Sequence, residues 1–279
     1  MKRYRVLRFS FDSRSSLLTQ EICVDWAEDI QRQHIENRNQ QIAALQKEYG
    51  ELLAEQKIAN FADLGDNPFS IVSYHTAFLE QIRHAFVGFA YYPALTGACA
   101  LGERILNHLV LRLREYYTDR PEYKRLYRKA SFDDWKSAIN ALEAWGVLLP
   151  NVARAFRALQ DARNAAIHFS PDLEQDQRGP ALVAIRLVKE IVADQFSAFG
   201  TQPWFIPAVP GESYIKKEAE AWPFVREFYL PACVHVSPYH RVLEIDEQGT
   251  WRIGDCECCE RGISDEEYVA LLHSRPQIG

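Results

Sequence analysis

Apolar positions in this chain recur mostly every three or four residues, the spacing of one helix face, and alternate only near its two ends. Tyr4 to Phe11 (YRVLRFSF) alternates well enough to predict a short strand, with Asp12 and Ser13 starting a turn. From about Thr19 to Phe61 the period is helical. Ile22, Trp26 and Ile30 lie four apart, and Ile42, Leu45, Tyr49 and Leu52 resume the pattern. The polar run QRQHIENRNQQ between them reads either as the exposed middle of one long helix or as a break between two. DLGDNP, from Asp63 to Pro68, is a turn. A second helix is expected over about Tyr74 to Tyr91, with Phe78, Ile82, Phe86 and Phe89 inward. Pro93 then opens the strongest helix, roughly Ala94 to Tyr117. Its stripe is Leu95, Cys99, Gly102, Leu106, Leu109, Leu113 and Tyr116, and Gly102 in mid-stripe would let a neighbouring helix come close.

Asp133 and Asp134 suit the first turn of a third helix reaching Leu148. The segment LPNVARAFRALQDARNAAIHFSPD follows, with Asn151 as cap, a stripe through Val152, Ala155, Leu159, Ala162, Ala166 and Phe169, and Pro171 as terminator. A last core helix is expected from Pro180 to Phe199, with Leu182, Ile185, Val188, Val192 and Phe196 inward. After Gly200 the character changes. TQPWFIPAVPG is rich in proline and aromatics, and a short helix is expected over Glu218 to Tyr229. HRVLEIDEQGTWRIG reads as a hairpin of Arg241–Ile245 and Trp251–Gly254 turning through Gly249, and Ser264 with Glu267 caps a short final helix. The expected fold is therefore mainly α: a helical bundle with a small mixed α/β C-terminal extension. Its parts are 1–73 (a strand and a long helical segment), 74–200 (the helical core) and 201–279 (the extension).

Composition narrows the function classes. At 279 residues with 47% apolar and 25% charged residues, this is an ordinary globular chain with enough length for a sizeable core. A net charge of −6 argues against a protein that coats duplex nucleic acid through a wholly basic surface. Charge is uneven, however: residues 94–130 carry eight basic and four acidic side chains, whereas 244–267 carry nine acidic and two basic. No apolar run is long enough for a membrane span and MKRYRVLRFSFDSRSS does not read as a signal peptide, so the expectation is a cytoplasmic protein without a membrane partner. Glycine-rich phosphate loops of the P-loop or Rossmann type are absent, and no spacing singles out a pair of catalytic carboxylates.

Arg163, Asn164 and His168 are the strongest candidates for chemistry. On a helix Arg163 and His168 lie about 140° apart, while Asn164 is four before His168 and on its side. Arg163 is also four after Leu159 and so borders the apolar stripe. A guanidinium there can grip a phosphate, and an imidazole can move a proton near neutral pH. Those two actions are what RNA cleavage requires. The plain structural alternative is an Arg163–carboxylate pair and a His168 that serves the helix C-terminus.

With its context, RNAAIH resembles the hallmark of the ribonuclease members of the HEPN superfamily: an arginine, four to six residues, then a histidine, often with a polar residue directly after the arginine. ALTGACALGERILNHLVLRLREYY is similar to the family's earlier long helix, and Glu103 falls where many members carry an acidic or polar residue. The resemblance covers roughly residues 74–199. It implies an all-helical homodimer with a shared cleft that cuts RNA without metal, leaving a 2′,3′-cyclic phosphate and a 5′-hydroxyl. Many such proteins are toxins or antiviral effectors, which makes an antitoxin or regulatory protein a further expected partner. On this chain it implies His168 as general base or acid, Arg163 as phosphate ligand, Asn164 as an orienting group and Glu103 as the residue positioning Arg163. Arg120, Lys124, Arg125, Arg128 and Lys129 would guide the RNA backbone or form a plain solvated face. The competing readings are a non-catalytic HEPN-like interaction or regulatory subunit and a nucleotide-binding helical module.

No cofactor is expected. The six cysteines (Cys23, Cys99, Cys233, Cys256, Cys258 and Cys259) are irregularly spaced, unlike a disulfide framework. Cys233, Cys256, Cys258 and Cys259, with His235 and His240 nearby, are weak candidates for a structural zinc site, because C-x-C-C is not the usual knuckle. Trp204, Phe205, Trp222 and Tyr229 are expected to glue the extension onto the core in preference to stacking on bases.

Overall fold

The computed structural model describes residues 1–71, 73–129, 134–168, 175–209, 211, 213–245, 251–256 and 261–275. It is mainly helical, and the chain divides into two units. One comprises residues 10–195; the other joins residues 1–9 to 196–279.

The alternating stretch at the N-terminus forms two strands instead of one, β1 (Arg3–Val6) and β2 (Ser10–Asp12). Only β2 belongs to the helical unit, where it pairs antiparallel with β3 (Asn67–Ser70). Helix α1 (Arg14–Thr19) precedes α2 (Glu28–Tyr49), so the polar run is the middle of one helix. Leu45 is its one buried residue among those described. Glu28 and Asp29 in the first turn and Lys47 in the last suit its dipole. The break comes later. Gly50 (φ 82°) and Leu53 (φ 58°) turn the chain through the left-handed region before α3 (Ala54–Leu64), a place the helical period did not reveal.

Helix α4 (Ser73–Val87) leads into α5 (Tyr91–Leu113), the central element, which packs against α4 and three later helices. The expected stripe is buried through Leu113, while Tyr116 lies beyond the helix and is exposed. Phe78, expected inward on α4, is 37% exposed. The short α6 (Tyr123–Leu126) is followed by α7 (Trp135–Ala144), whose N-cap is Asp134, accepting from Ser137 N–H. Asp133 falls outside the described residues.

Helix α8 (Pro150–Ile167) starts two residues earlier than a cap at Asn151 would allow, with Leu149 at the cap position. Pro150 takes the first position, where its missing N–H costs nothing, and the Asn151 side chain instead donates to Asp194. Phe169 and Pro171 lie outside the described residues. Helix α9 (Arg178–Gln195) closes the unit against α4, α5 and α8. Gln195, fully buried, accepts from Leu149 N–H and donates to Val147 O, tying α9 to the α7–α8 turn.

In the second unit β1 pairs antiparallel with β4 (Cys233–Val236), in the register Arg3 to Val236 and Val6 to Cys233. The expected helix over Glu218–Tyr229 is a series of short 3-10 and π turns, broken where Pro223 interrupts it. The predicted hairpin is present as β5 (Arg241–Ile245) and β6 (Trp251–Gly254); Gly249 lies outside the described residues. Ser264 Oγ accepts from Glu267 N–H to cap α10 (Asp265–His273), as the sequence indicates. Among the described residues no helix is long and apolar enough to cross a membrane.

Candidate functional site

The groove between α5 and α8 exists because of Gly102. A Cβ there would stand 2.4 Å from Leu159 Cδ2 and 2.9 Å from Trp135 Cη2, so only glycine admits this approach of helices without repacking. The two helices run side by side in opposite senses. Tyr92 OH, at the start of α5, reaches Ala166 O near the end of α8, at 3.4 Å. That register sets Glu103, the neighbour of Gly102, beside Arg163, one turn on from Leu159.

Arg163 Nε lies 3.5 Å from Glu103 Oε2. The same carboxylate oxygen accepts from Trp135 Nε1 at 3.1 Å, and Trp135 is buried. Glu103 is thus held from two sides while its own side chain stays about one-third exposed. Cys99, one turn before Glu103, completes the wall. Burial pushes its thiol up to about 11 against the opposing charge of Arg163, so it stays protonated at neutral pH. Among the described residues the terminal nitrogens of Arg163 engage no carboxylate, and the guanidinium is only half-buried. It is aimed from one end and open at the other.

His168 follows the last turn of α8. Its N–H closes the final helical bond to Asn164 O at 3.1 Å, after which its ψ of 150° takes the chain out of the helix. The side chains of Asn164 and His168 are exposed and make no hydrogen bond among the described residues. Beside them Ile167 is 58% exposed and Tyr92 46%. The structure therefore brings Glu103 and Arg163 into contact and leaves the Asn164 and His168 side chains exposed at the end of α8. Trp135 and Cys99 were not selected as site residues from the sequence. No spacing rule links Trp135 to Glu103 across 32 positions.

Arg120, Lys124, Arg125, Arg128 and Lys129 are all exposed, around α6. Arg128 lies over the Tyr127 ring at 5.0 Å, and Arg114 donates to Lys129 O and Leu126 O, which shapes this turn.

The second unit carries the other candidates. Cys233 is part-buried, and that burial pushes its thiol up to about 12. Cys256 is disulfide-bonded, a correction to the expectation of free thiols there; Cys258 and Cys259 lie outside the described residues. His235 stacks on Tyr4, and His240 is buried between Ser237 O and Arg5. Among the described residues no group of three or more His, Cys, Asp or Glu could hold a metal. Trp204, Phe205 and Tyr229 are buried in an aromatic cluster with Phe224 inside this unit, whereas Trp222 is part-exposed. A cleft of about 850 Å³ in this unit is lined by Ile206, Ile263, Val269, Lys217 and His273. Its buried Arg3 is already spent on Asp265 and Ile263 O.

No protein-family model, curated protein or solved structure matches this chain.

Proposed function

We propose that this chain is a metal-independent endoribonuclease that acts as a homodimer and leaves 2′,3′-cyclic phosphate ends, in the manner of the HEPN ribonucleases it resembles. The observation that carries the reading is Arg163. A part-exposed guanidinium pairs through Nε with Glu103, itself held by buried Trp135, and Asn164 and His168, exposed on the same end of α8, make no side-chain hydrogen bond among the described residues. A guanidinium doing purely structural work would have its donors consumed.

The chemistry follows from these groups. One His168 takes the proton of the ribose 2′-hydroxyl as its oxygen attacks the adjacent phosphorus. The bond to the 5′-oxygen breaks, and the partner subunit's His168 returns a proton to that oxygen. Arg163 neutralises the charge that grows on the phosphoryl oxygens, and Asn164 orients the phosphate or the imidazole. The exposed Ile167 and Tyr92 beside the groove supply an apolar surface for the second copy.

The test is incubation of the full chain and its His168→Ala and Arg163→Ala variants with structured and single-stranded RNA in excess EDTA, with analysis of product ends. The wild type is expected to cut, with cyclic-phosphate termini, and each variant to be slower by roughly 10²–10⁴-fold while melting like the wild type. Equal inactivity of three folded, dimeric proteins would overturn the reading in favour of a non-catalytic interaction module.

A further inference from the structure

One face of the α4–α5 pair carries positive charge that the cleavage chemistry leaves unused. Arg104, His108 and Arg112 follow one another at intervals of four along α5, which puts them on one side of the helix about 6 Å apart. Arg104 follows Glu103 in sequence but stands about 100° around α5 from it, on the side of Phe78 from α4, so the row runs beside the Arg163–Glu103 contact. The Arg104 guanidinium lies over the part-exposed ring of Phe78 from α4, 4.5 Å from its centroid. Among the described residues neither Arg104 nor Arg112 forms a salt bridge or hydrogen bond through its side chain. In a protein of net charge −6 such a row is not the general character of the surface.

Phe78 holds one face of the Arg104 guanidinium without consuming any of its five N–H donors. The in-plane edge stays available for a phosphate and the other face for a flat ring. His108 stands between the arginines, with its ring 6.4 Å from that of buried His75. Its imidazole is held below the ordinary range by burial and then by the positive charges of Arg104 and Arg112.

Resting on the endoribonuclease reading, we infer that Phe78, Arg104, His108 and Arg112 form a binding ridge for the phosphodiester backbone of single-stranded RNA, with a base stacked at Arg104. The ridge carries the strand along α5 to the groove where Arg163 and His168 act. It engages consecutive phosphates by charge and one base by its flat face, so it favours unpaired strands over duplex and is tolerant of sequence.

The experiment uses the full chain carrying His168→Ala and measures fluorescence anisotropy with a labelled single-stranded oligoribonucleotide and, separately, an oligodeoxynucleotide that lacks the attacking 2′-hydroxyl. Arg104→Gln with Arg112→Gln is expected to weaken binding of both probes roughly five- to twentyfold at low salt. The slope of log affinity against log salt should become shallower by about 1.4, two phosphate contacts on a single strand. Arg104→Lys with Arg112→Lys is expected to keep the salt slope yet lose part of the affinity, because lysine retains the charge without the stacked plane. Phe78→Ala should weaken binding without changing the slope. Circular-dichroism melts of each variant separate a binding defect from misfolding. Affinity and slope unchanged in the folded double glutamine variant would overturn the ridge, even if RNA is cleaved at Arg163 and His168. Binding that depends on the ridge in a protein that never cuts RNA would overturn the nuclease reading and leave the ridge standing. Displacement by polyglutamate as effective as by RNA of equal charge would also overturn it, making this face a site for acidic protein.

Discussion

The helical unit uses the same two residue types, arginine and histidine, in two places with opposite consequences. On α4, Arg83 and His75 are about 2% and 1% exposed. Arg83 donates to Gly65 O at 2.8 Å and Asn67 Oδ1 at 2.9 Å, lies 3.7 Å from Asp12 and covers the Phe61 ring at 5.0 Å. At the end of α8, Arg163 has one ion-pair partner among the described residues, Glu103, and His168 is exposed. The first pair is enclosed, and the Arg83 donors tie α4 to Gly65 and to Asn67 of β3. The second is open, and whatever it holds comes from outside. Enclosure, not residue type, separates a structural arginine from one available to a phosphate.

The sharpest way to break this comparison is to truncate both arginines. Arg83→Ala strips two buried acceptors of their donor and leaves Asp12 to Arg14 alone, and is expected to cost about 2–5 kcal/mol of unfolding free energy in urea titrations. Arg163→Ala removes one half-exposed ion pair and is expected to cost less than about 1 kcal/mol. Equal losses would mean that Arg163 is as structural as Arg83, and the groove would lose its claim to chemistry.

The histidine of the enclosed pair gives the next largest effect, through pH. Burial, then the nearby His108 and Arg104, push the His75 imidazole down to about 2, from an ordinary value of 6.5. Folded protein therefore refuses a proton that the unfolded chain accepts once the pH falls below about 6.5, so stability declines with acidification from that point. At up to about 1.4 kcal/mol per pH unit the loss between pH 6.5 and 4.5 comes to about 2–3 kcal/mol. The measurement is the difference between wild type and His75→Phe in urea midpoints across that range. The variant should show a correspondingly flatter acid limb, and parallel curves would show that His75 is protonated in the folded state.

What the sequence reveals divides along the same line. Periodicity located the α5 and α8 stripes, because each buries one face and repeats its apolar residues accordingly, and the turn residues located the β5–β6 hairpin. It did not locate the break at Gly50–Leu53, since the apolar spacing runs on past it to an exposed Leu52. Nor did it separate β1 from β2, whose partners β4 and β3 lie far apart in the chain. In the groove, Arg163, Asn164, His168 and Glu103 were singled out through a local motif and a resemblance. Trp135 and the Phe78–Arg104 stack were not, because both are made between helices. Phe78 in particular sits on a helical apolar period and reads as core, yet it faces out to support an arginine.

Gly102 is a position where the two regions can be uncoupled, with a smaller effect than those at Arg83 and His75. Gly102→Ala introduces a methyl group into contact with Leu159 and Trp135, both in the buried core of the α5–α7–α8 packing. The end of Leu159 can rotate aside, whereas the Trp135 ring is tied by Nε1 to Glu103 and packed edge-on against Phe156. The expected cost is roughly 1–2 kcal/mol, the lower part of the range for overpacking a core. The enclosed Arg83 and His75 lie on α4, away from this contact, so the acid limb of stability should stay as in wild type. Cleavage of RNA should fall more than stability does, because moving α5 away from α8 shifts Glu103 and leaves Arg163 without its guide. Loss of stability with an undiminished rate per folded molecule would show that the Glu103–Arg163 contact is incidental to the groove's chemistry.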